Sequence, residues 1–221
     1  MGRIQQGILG GVSGKVGNVV GCNWKGISYL RSLPTRSNSS LSEKQIYQQL
    51  KYATLMHLLQ PLLPVLRIGF STEAAGMSAF NAAVAYHHKE ALSGQYPSVE
   101  IDYPKVLITQ GTLAGSAAVR IETQLAGKVR VSWDPLPDNN SGQSNDIVMV
   151  ALASEENSYA LTLLDAGNRA DGSVTVTLPT QYFGTRFHCY VAFRNRMAAL
   201  TNHTGMNTRS TSQYAGGVIL T

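Results

Sequence analysis

Hydrophobic positions along the chain follow three successive patterns. The first, over residues 1–34, is a run of strand formers studded with glycine. Val16, Val19, Val20, Trp24, Ile27, Tyr29 and Leu30 favour extended backbone. Gly7, Gly10, Gly11, Gly14, Gly17, Gly21 and Gly26 interrupt them, and each costs backbone entropy when ordered. Trp24-Lys25-Gly26-Ile27 reads as a hairpin, two β-compatible runs joined by a two-residue turn with Gly second. The second pattern is helical. A polar hinge, TRSNSSLS, leads to Ser42, a helix cap with Gln45 placed to complete a capping box and Leu41 and Ile46 to form a staple. Ile46, Leu50, Ala53 and His57 follow helical spacing. Pro61 bends or ends that helix near residue 60. A second helix is predicted over about residues 77–92, stopping at Gly94, with Phe80, Val84 and His88 on one face. The two helices form a hairpin with an apolar seam.

From Gln95 onward the period becomes two. Val106 and Ile108; Val119 and Ile121; Val129, Val131 and Trp133; Ile147 to Leu152; Tyr159, Leu161 and Leu163; Val174, Val176 and Leu178; and His188, Tyr190 and Ala192 read as short strands, with Tyr214 to Leu220 closing the set. About seven strands at such spacing predict a β-sandwich of immunoglobulin or fibronectin type III shape, with Trp133 as its core tryptophan and Leu178-Pro179 to Tyr182 as a tyrosine-corner region. The expected fold is therefore α+β and mainly β. It comprises a β-hairpin arm (residues 1–34), a helical hairpin (35–95) and a sandwich (96–221). A two-stranded hairpin alone is marginal in water, so the arm must lie on its own domain or on a neighbouring chain. The second arrangement is the expectation.

Composition agrees with a chain that hides surface in contacts. Apolar residues make up 43% and charged residues only 14%, against a usual charged share of about 25%. The longest apolar run, Leu58 to Phe70, is broken by Gln60, Pro61, Pro64, Arg67 and Gly69, whereas a spanning helix needs about 20 mostly apolar residues. The N-terminus shows no continuous apolar core of a secretory signal, which predicts cytoplasmic synthesis, with release or export by another route. The net charge is +5. Residues 1–70 hold eight Lys/Arg against Glu43 alone, +7, and the remainder holds ten against twelve, −2. A basic arm and a slightly acidic body favour subunit contact. The positive residues are dispersed and not interleaved with aromatics, which argues against nucleic acid as the partner.

Candidate chemistry is sparse. Gly10-Gly11-Val12-Ser13-Gly14-Lys15 falls short of a phosphate loop: Leu9 occupies the place of its first Gly, and Val16 the place of the Ser or Thr after Lys. His87 and His88 are adjacent on a helix, about 100° apart, and cannot chelate as an i, i+4 pair. His57, His188 and His203 are isolated in sequence. Asp102, Asp134, Asp138 and Asp146 sit near turns, where loop carboxylates supply the oxygen ligands calcium takes, but no EF-hand pattern is present. No serine lies in a G-x-S-x-G elbow. Cys22 and Cys189 have no metal spacing and read as free thiols, a disulfide being the alternative. Tyr159, Tyr182, Phe183, Tyr190 and Tyr214 are the residues that would line a glycan-binding face. No enzyme and no cofactor are expected.

Two stretches carry a resemblance: GKVGNVVGCNWKGISYLRSLP (residues 14–34) and AFNAAVAYHHKEALSGQYPSVEIDYPKVLITQGTL (residues 79–113). WDPLPDNNSG and HCYVAF extend it loosely into the C-terminal half. Together they resemble an uncharacterised family of unknown function associated with Bacteroidota, which implies no activity. The layout of arm, helical pair and sandwich is also similar to small proteins found with phage or prophage structural genes. The functional expectation is a self-assembling structural protein, forming a filament, ring or virion-like component, whose arm is exchanged between subunits. Val16, Val20, Trp24, Ile27, Tyr29 and Leu30 would be its anchors, and Lys25 and Arg31 its polar rim. A surface or virion-associated glycan-binding module is the alternative.

Overall fold

The structure, a computed structural model, describes residues 3–4, 11–24, 26–35, 40–124, 127–135, 142–156, 159–201, 205 and 208–220. The fold is α+β and mainly β, with four helices and several antiparallel sheets. It divides into two units, Met1–Ser42 and Glu43–Thr221.

The first unit is a four-stranded antiparallel sheet in the order β1 (Arg3–Ile4), β2 (Val12–Val16), β3 (Val19–Trp24), β4 (Ile27–Ser32). The predicted hairpin is its β3–β4 pair, closed by Trp24 opposite Ile27. Gly26 adopts a φ of +84° in the turn, and its N–H donates to Asn23 Oδ1 at 3.2 Å.

The second unit begins with helices α1 (Glu43–Leu59), α2 (Leu63–Gly69) and α3 (Ala79–Glu90). Pro61 separates the first two, and Ser78 caps the third by accepting from Asn81 N at 3.1 Å. The helix does not run on to Gly94. Leu92–Ser93 (β5) pairs instead with Glu100–Ile101 (β6), and Gly94, at φ +95°, lies in the connection between them. Seven strands follow: β7 (Val119–Thr123), β8 (Lys128–Trp133), β9 (Ile147–Ser154), β10 (Ala160–Leu163), β11 (Ser173–Thr177), β12 (Arg186–Arg194) and β13 (Gln213–Ile219), with helix α4 (Arg196–Leu200) between the last two. They form two antiparallel sheets, β11-β8-β7 and β10-β9-β12-β13.

Two cores share the central strands. Val129, Val131 and Trp133 of β8 meet Val148, Val150 and Leu152 of β9 and Phe187, Cys189, Val191 and Phe193 of β12. The alternate residues Met149, Ala151, Ala153, Tyr190 and Ala192 pack against Leu58, Leu62, Leu66, Phe70 and Ala83 of the helical segment. Strand β9 is consequently buried along its whole length. Its continuous apolar run is what a strand covered on both faces requires. Val106 and Ile108, read as a strand from their spacing, are buried in the helix-side core without joining a ladder. Their segment is held by side chains, with Ile108 N donating to Ser212 Oγ at 2.9 Å. The helical stripe Ile46, Leu50, Ala53 and His57 is exposed; α1 packs through Leu55, Leu58 and Leu59. Among the described residues no helix is long and apolar enough to cross a membrane.

A buried ion pair ties the sheets to the loops. The Arg169 guanidinium is 3.2 Å from Asp146 Oδ2, donates to Ala114 O (2.7 Å) and Gly115 O (2.9 Å), and stacks 3.9 Å from the centre of the Phe193 ring. The Arg169 carbonyl accepts the Trp133 indole N–H at 2.7 Å.

Candidate assembly interface

In an antiparallel pair, directly opposed residues share a face and successive residues along a strand change face. The β3–β4 register opposes Val20 with Arg31, Cys22 with Tyr29 and Trp24 with Ile27. These six side chains form one face, to which Lys15, opposite Val20, is added from β2. The other face holds Val16 opposite Val19, then Gly21 opposite Leu30 and Asn23 opposite Ser28. The expected anchors are therefore divided: Val20, Trp24, Ile27, Tyr29 and Arg31 lie together, and Val16 and Leu30 lie behind them. Lys25 lies outside the described residues. Cys22 on the first face and Val19 on the second were legible in the period-two count back from Trp24, whereas Lys15 joins the first face only through its pairing with Val20 across the β2–β3 turn.

The two faces differ in cover. A side chain at Gly21 would point into the second face and place its Cβ 1.9 Å from the carbonyl oxygen of Val12. The start of β2 thus crosses closely over that face, and only glycine permits the approach. Gly14, at φ +93°, lies where β2 leaves β3 to pair with β1. The crossing leaves a concavity of about 330 Å³ lined by Gly11, Val12, Ser28, Tyr29 and Leu30. Beyond that crossing both faces expose apolar side chains: Ile27 is 68% and Trp24 and Tyr29 each 47% exposed on the first, and Leu30 is 61% exposed on the second. Over residues 11–24 and 26–35 only Gly21 is buried. Strand β4 is exposed at all six positions and forms one edge of the sheet.

The remaining candidate residues are scattered or internally satisfied. His87 is buried. Its Nε2 accepts from Leu107 N (3.1 Å), so its Nδ1 carries the proton donated to Ala83 O (2.6 Å). Burial holds its pKa below the ordinary histidine value, with the two backbone bonds opposing. Asp146 is taken by Arg169, and Asp102 pairs with Lys105 at 2.7 Å. Asp138 and His203 lie outside the described residues. Cys22 is partly buried and Cys189 fully buried, both as free thiols, and burial pushes the Cys189 thiol up. Tyr159 and Tyr182 stack on each other at 4.2 Å, and both meet the Phe187 ring edge-on. Tyr190 is buried. Among the described residues, no three His, Cys, Asp or Glu side chains converge as a metal site.

His188, isolated in sequence, is joined to distant residues by strand pairing. Its Nδ1 lies 2.8 Å from the Tyr214 hydroxyl and its Nε2 3.5 Å from Glu155 Oε2, and the Tyr103 ring stacks on it at 3.6 Å. Desolvation lowers the His188 pKa, opposed by Glu155, and burial pushes the Tyr103 phenol up to about 12. The imidazole is hydrogen-bonded to a phenol through Nδ1 and faces a partly exposed carboxylate through Nε2, which has no hydrogen-bond partner. The neighbouring thiol, Cys189, belongs to the opposite core and stands away from it.

These observations define a mainly β body of two sheets and a helical layer, preceded by a small β-sheet of open faces. Over residues 11–203 the chain matches the family of unknown function DUF6266, and it belongs to that family. No curated protein matches the chain.

Proposed function

We propose that this protein is a non-enzymatic structural component that assembles with copies of itself through its N-terminal β-sheet. The observation that carries the reading is the burial pattern of residues 11–24 and 26–35 in that sheet, where only Gly21 is buried while Ile27, Tyr29, Leu30 and Trp24 are exposed. A small sheet without a buried apolar face lacks the main driving force for its own order. Coverage of Val20, Cys22, Trp24, Ile27 and Tyr29 by a neighbouring subunit supplies it, with Lys15 and Arg31 at the margin. A head-to-tail contact of this kind is heterologous and closes into a ring or propagates as a filament.

We also infer that the seven-stranded part is a sandwich of fibronectin type III kind. Lettered along the chain, β7 to β13 become A, B, C, C′, E, F and G, and the sheets are A-B-E and C′-C-F-G. That differs from the constant immunoglobulin arrangement by the sheet to which the fourth strand belongs. The likeness of the layout to small phage-associated structural proteins is in keeping with an assembling role.

The test is removal of residues 1–34, followed by sedimentation velocity and circular dichroism. The expected product is a folded monomer. A truncated chain that assembles like the full one would overturn the proposal.

A further inference from the structure

We infer that the arm's β4 strand adds to the open edge of β10 in a second copy of this chain; the inference rests on the self-assembly reading and names the surface that receives the arm. Strand β4 is an outer strand of its sheet. Leu33 N donates to Asn18 O at 2.7 Å. In an antiparallel ladder bonded pairs alternate, so Ile27, Tyr29 and Arg31 direct their backbone groups to β3. Ser28, Leu30 and Ser32 direct theirs outward. An exposed outer strand of this kind is a template for pairing with another chain.

The two larger sheets of the body offer four edges, and these are not equivalent. Strands β7 and β13 face each other: Thr123 Oγ1 donates to Ile219 O, and a Cβ on Gly216 would touch the Ile121 side chain at 3.4 Å. Strand β11 runs beside Lys128 and Arg130, which oppose Thr177 and Thr175. Strand β10 is flanked by Glu155 and Glu156 before it and Asp165 after it. Ser154 N donates to Tyr159 O at 2.9 Å, so the same alternation directs the N–H and C=O of Ala160 and Thr162 away from β9. Among the described residues, no backbone hydrogen bond outside the strand ladders involves residues 160–163.

Charge selects between the two open edges. The arm unit, residues 1–42, carries five Lys/Arg and no Asp or Glu, whereas residues 43–221 carry 18 − 5 = 13 basic and 13 acidic side chains. A basic strand is repelled at the Lys128/Arg130 edge and attracted at the acid-flanked edge. The outward groups at Ala160 and Thr162 match the two-residue spacing of Ser28, Leu30 and Ser32, so strand addition supplies main-chain bonds.

Proline at an outward position removes the donor without breaking the ladder behind it. Leu30→Pro and Thr162→Pro are compared with the full-length protein by sedimentation velocity, with thermal melting to verify each fold. Each is expected to weaken assembly about tenfold or more, as the loss of a main-chain bond at an interface implies. If Leu30→Pro dissociates the assembly and Thr162→Pro does not, β10 is the wrong edge and the arm reading stands. If neither has an effect, both fall. Charge reversal provides the second measurement. Arg31→Glu is expected to weaken assembly, and Glu156→Lys with Asp165→Lys in the same chain to restore it; no restoration overturns the pairing with β10.

Discussion

Ile27→Asp separates assembly from folding. Ile27 is 68% exposed in a single chain, so its contribution to the isolated fold is small, and an exposed strand substitution costs about 1 kcal/mol or less. Its contribution to an interface is larger. Complete burial of an isoleucine side chain is worth about 1.5–3 kcal/mol, so covering the exposed two-thirds supplies about 1–2 kcal/mol per contact. Loss of that term alone weakens association about 5- to 30-fold. Placing a carboxylate against an apolar partner surface adds the cost of desolvating a charge. Leu200→Asp on α4 is the control, because Leu200 is 73% exposed but belongs to the body. Sedimentation velocity over a concentration series reads the assembly, and circular dichroism melts read the fold. The expected result is a monomer with an unchanged melt for Ile27→Asp and wild-type assembly for Leu200→Asp. Equal behaviour of the two variants, or unfolding of Ile27→Asp, would refute the reasoning.

Other consequences are independent of that interface. Arg169→Ala leaves Asp146 buried without its cation and two carbonyls without donors, and is expected to destabilise the body by about 3–5 kcal/mol in urea unfolding; Arg169→Met with Asp146→Leu should recover much of it. Gly21→Ala sets a methyl against the Val12 carbonyl, and is expected to displace β2 and impair assembly at a cost of about 1–3 kcal/mol to the arm, with the melt of the body unchanged. His87 is held neutral in the fold, so below the ordinary histidine pKa of about 6.5 the unfolded chain takes up a proton that the folded one does not. Stability should therefore fall as pH drops below that value, by up to about 1.4 kcal/mol per pH unit, and fall less steeply in His87→Gln. At neutral pH a maleimide should label Cys22 in the folded monomer and leave Cys189 unmodified, with labelling of Cys22 suppressed on assembly.

Much of this organisation was written in local pattern. The alternation at Val119 to Thr123, Val129 to Trp133 and Val174 to Thr177 placed half-buried strands, and the Trp24-Lys25-Gly26-Ile27 turn placed the arm's hairpin, because period and turn chemistry act over a few residues. Position relative to other segments was not written there. Val106 and Ile108 alternate like a strand, yet Val106 N donates to Tyr103 O and Ile108 N to the Ser212 hydroxyl, more than a hundred residues away, instead of to a neighbouring strand. Ile46 and Leu50 have helical spacing like Leu55 and Leu59, yet only the latter pair meets the sheet. Val16 and Leu30 look equivalent to Trp24 and Tyr29 until the register assigns them to opposite faces. The pairings of Asp146 with Arg169 and of His188 with Tyr214 likewise exist only once strands separated in sequence lie side by side. Sequence by itself determined which segments are extended or helical, because each residue's backbone preference is local; which face is buried was decided by tertiary structure, because burial depends on what arrives from elsewhere in the chain.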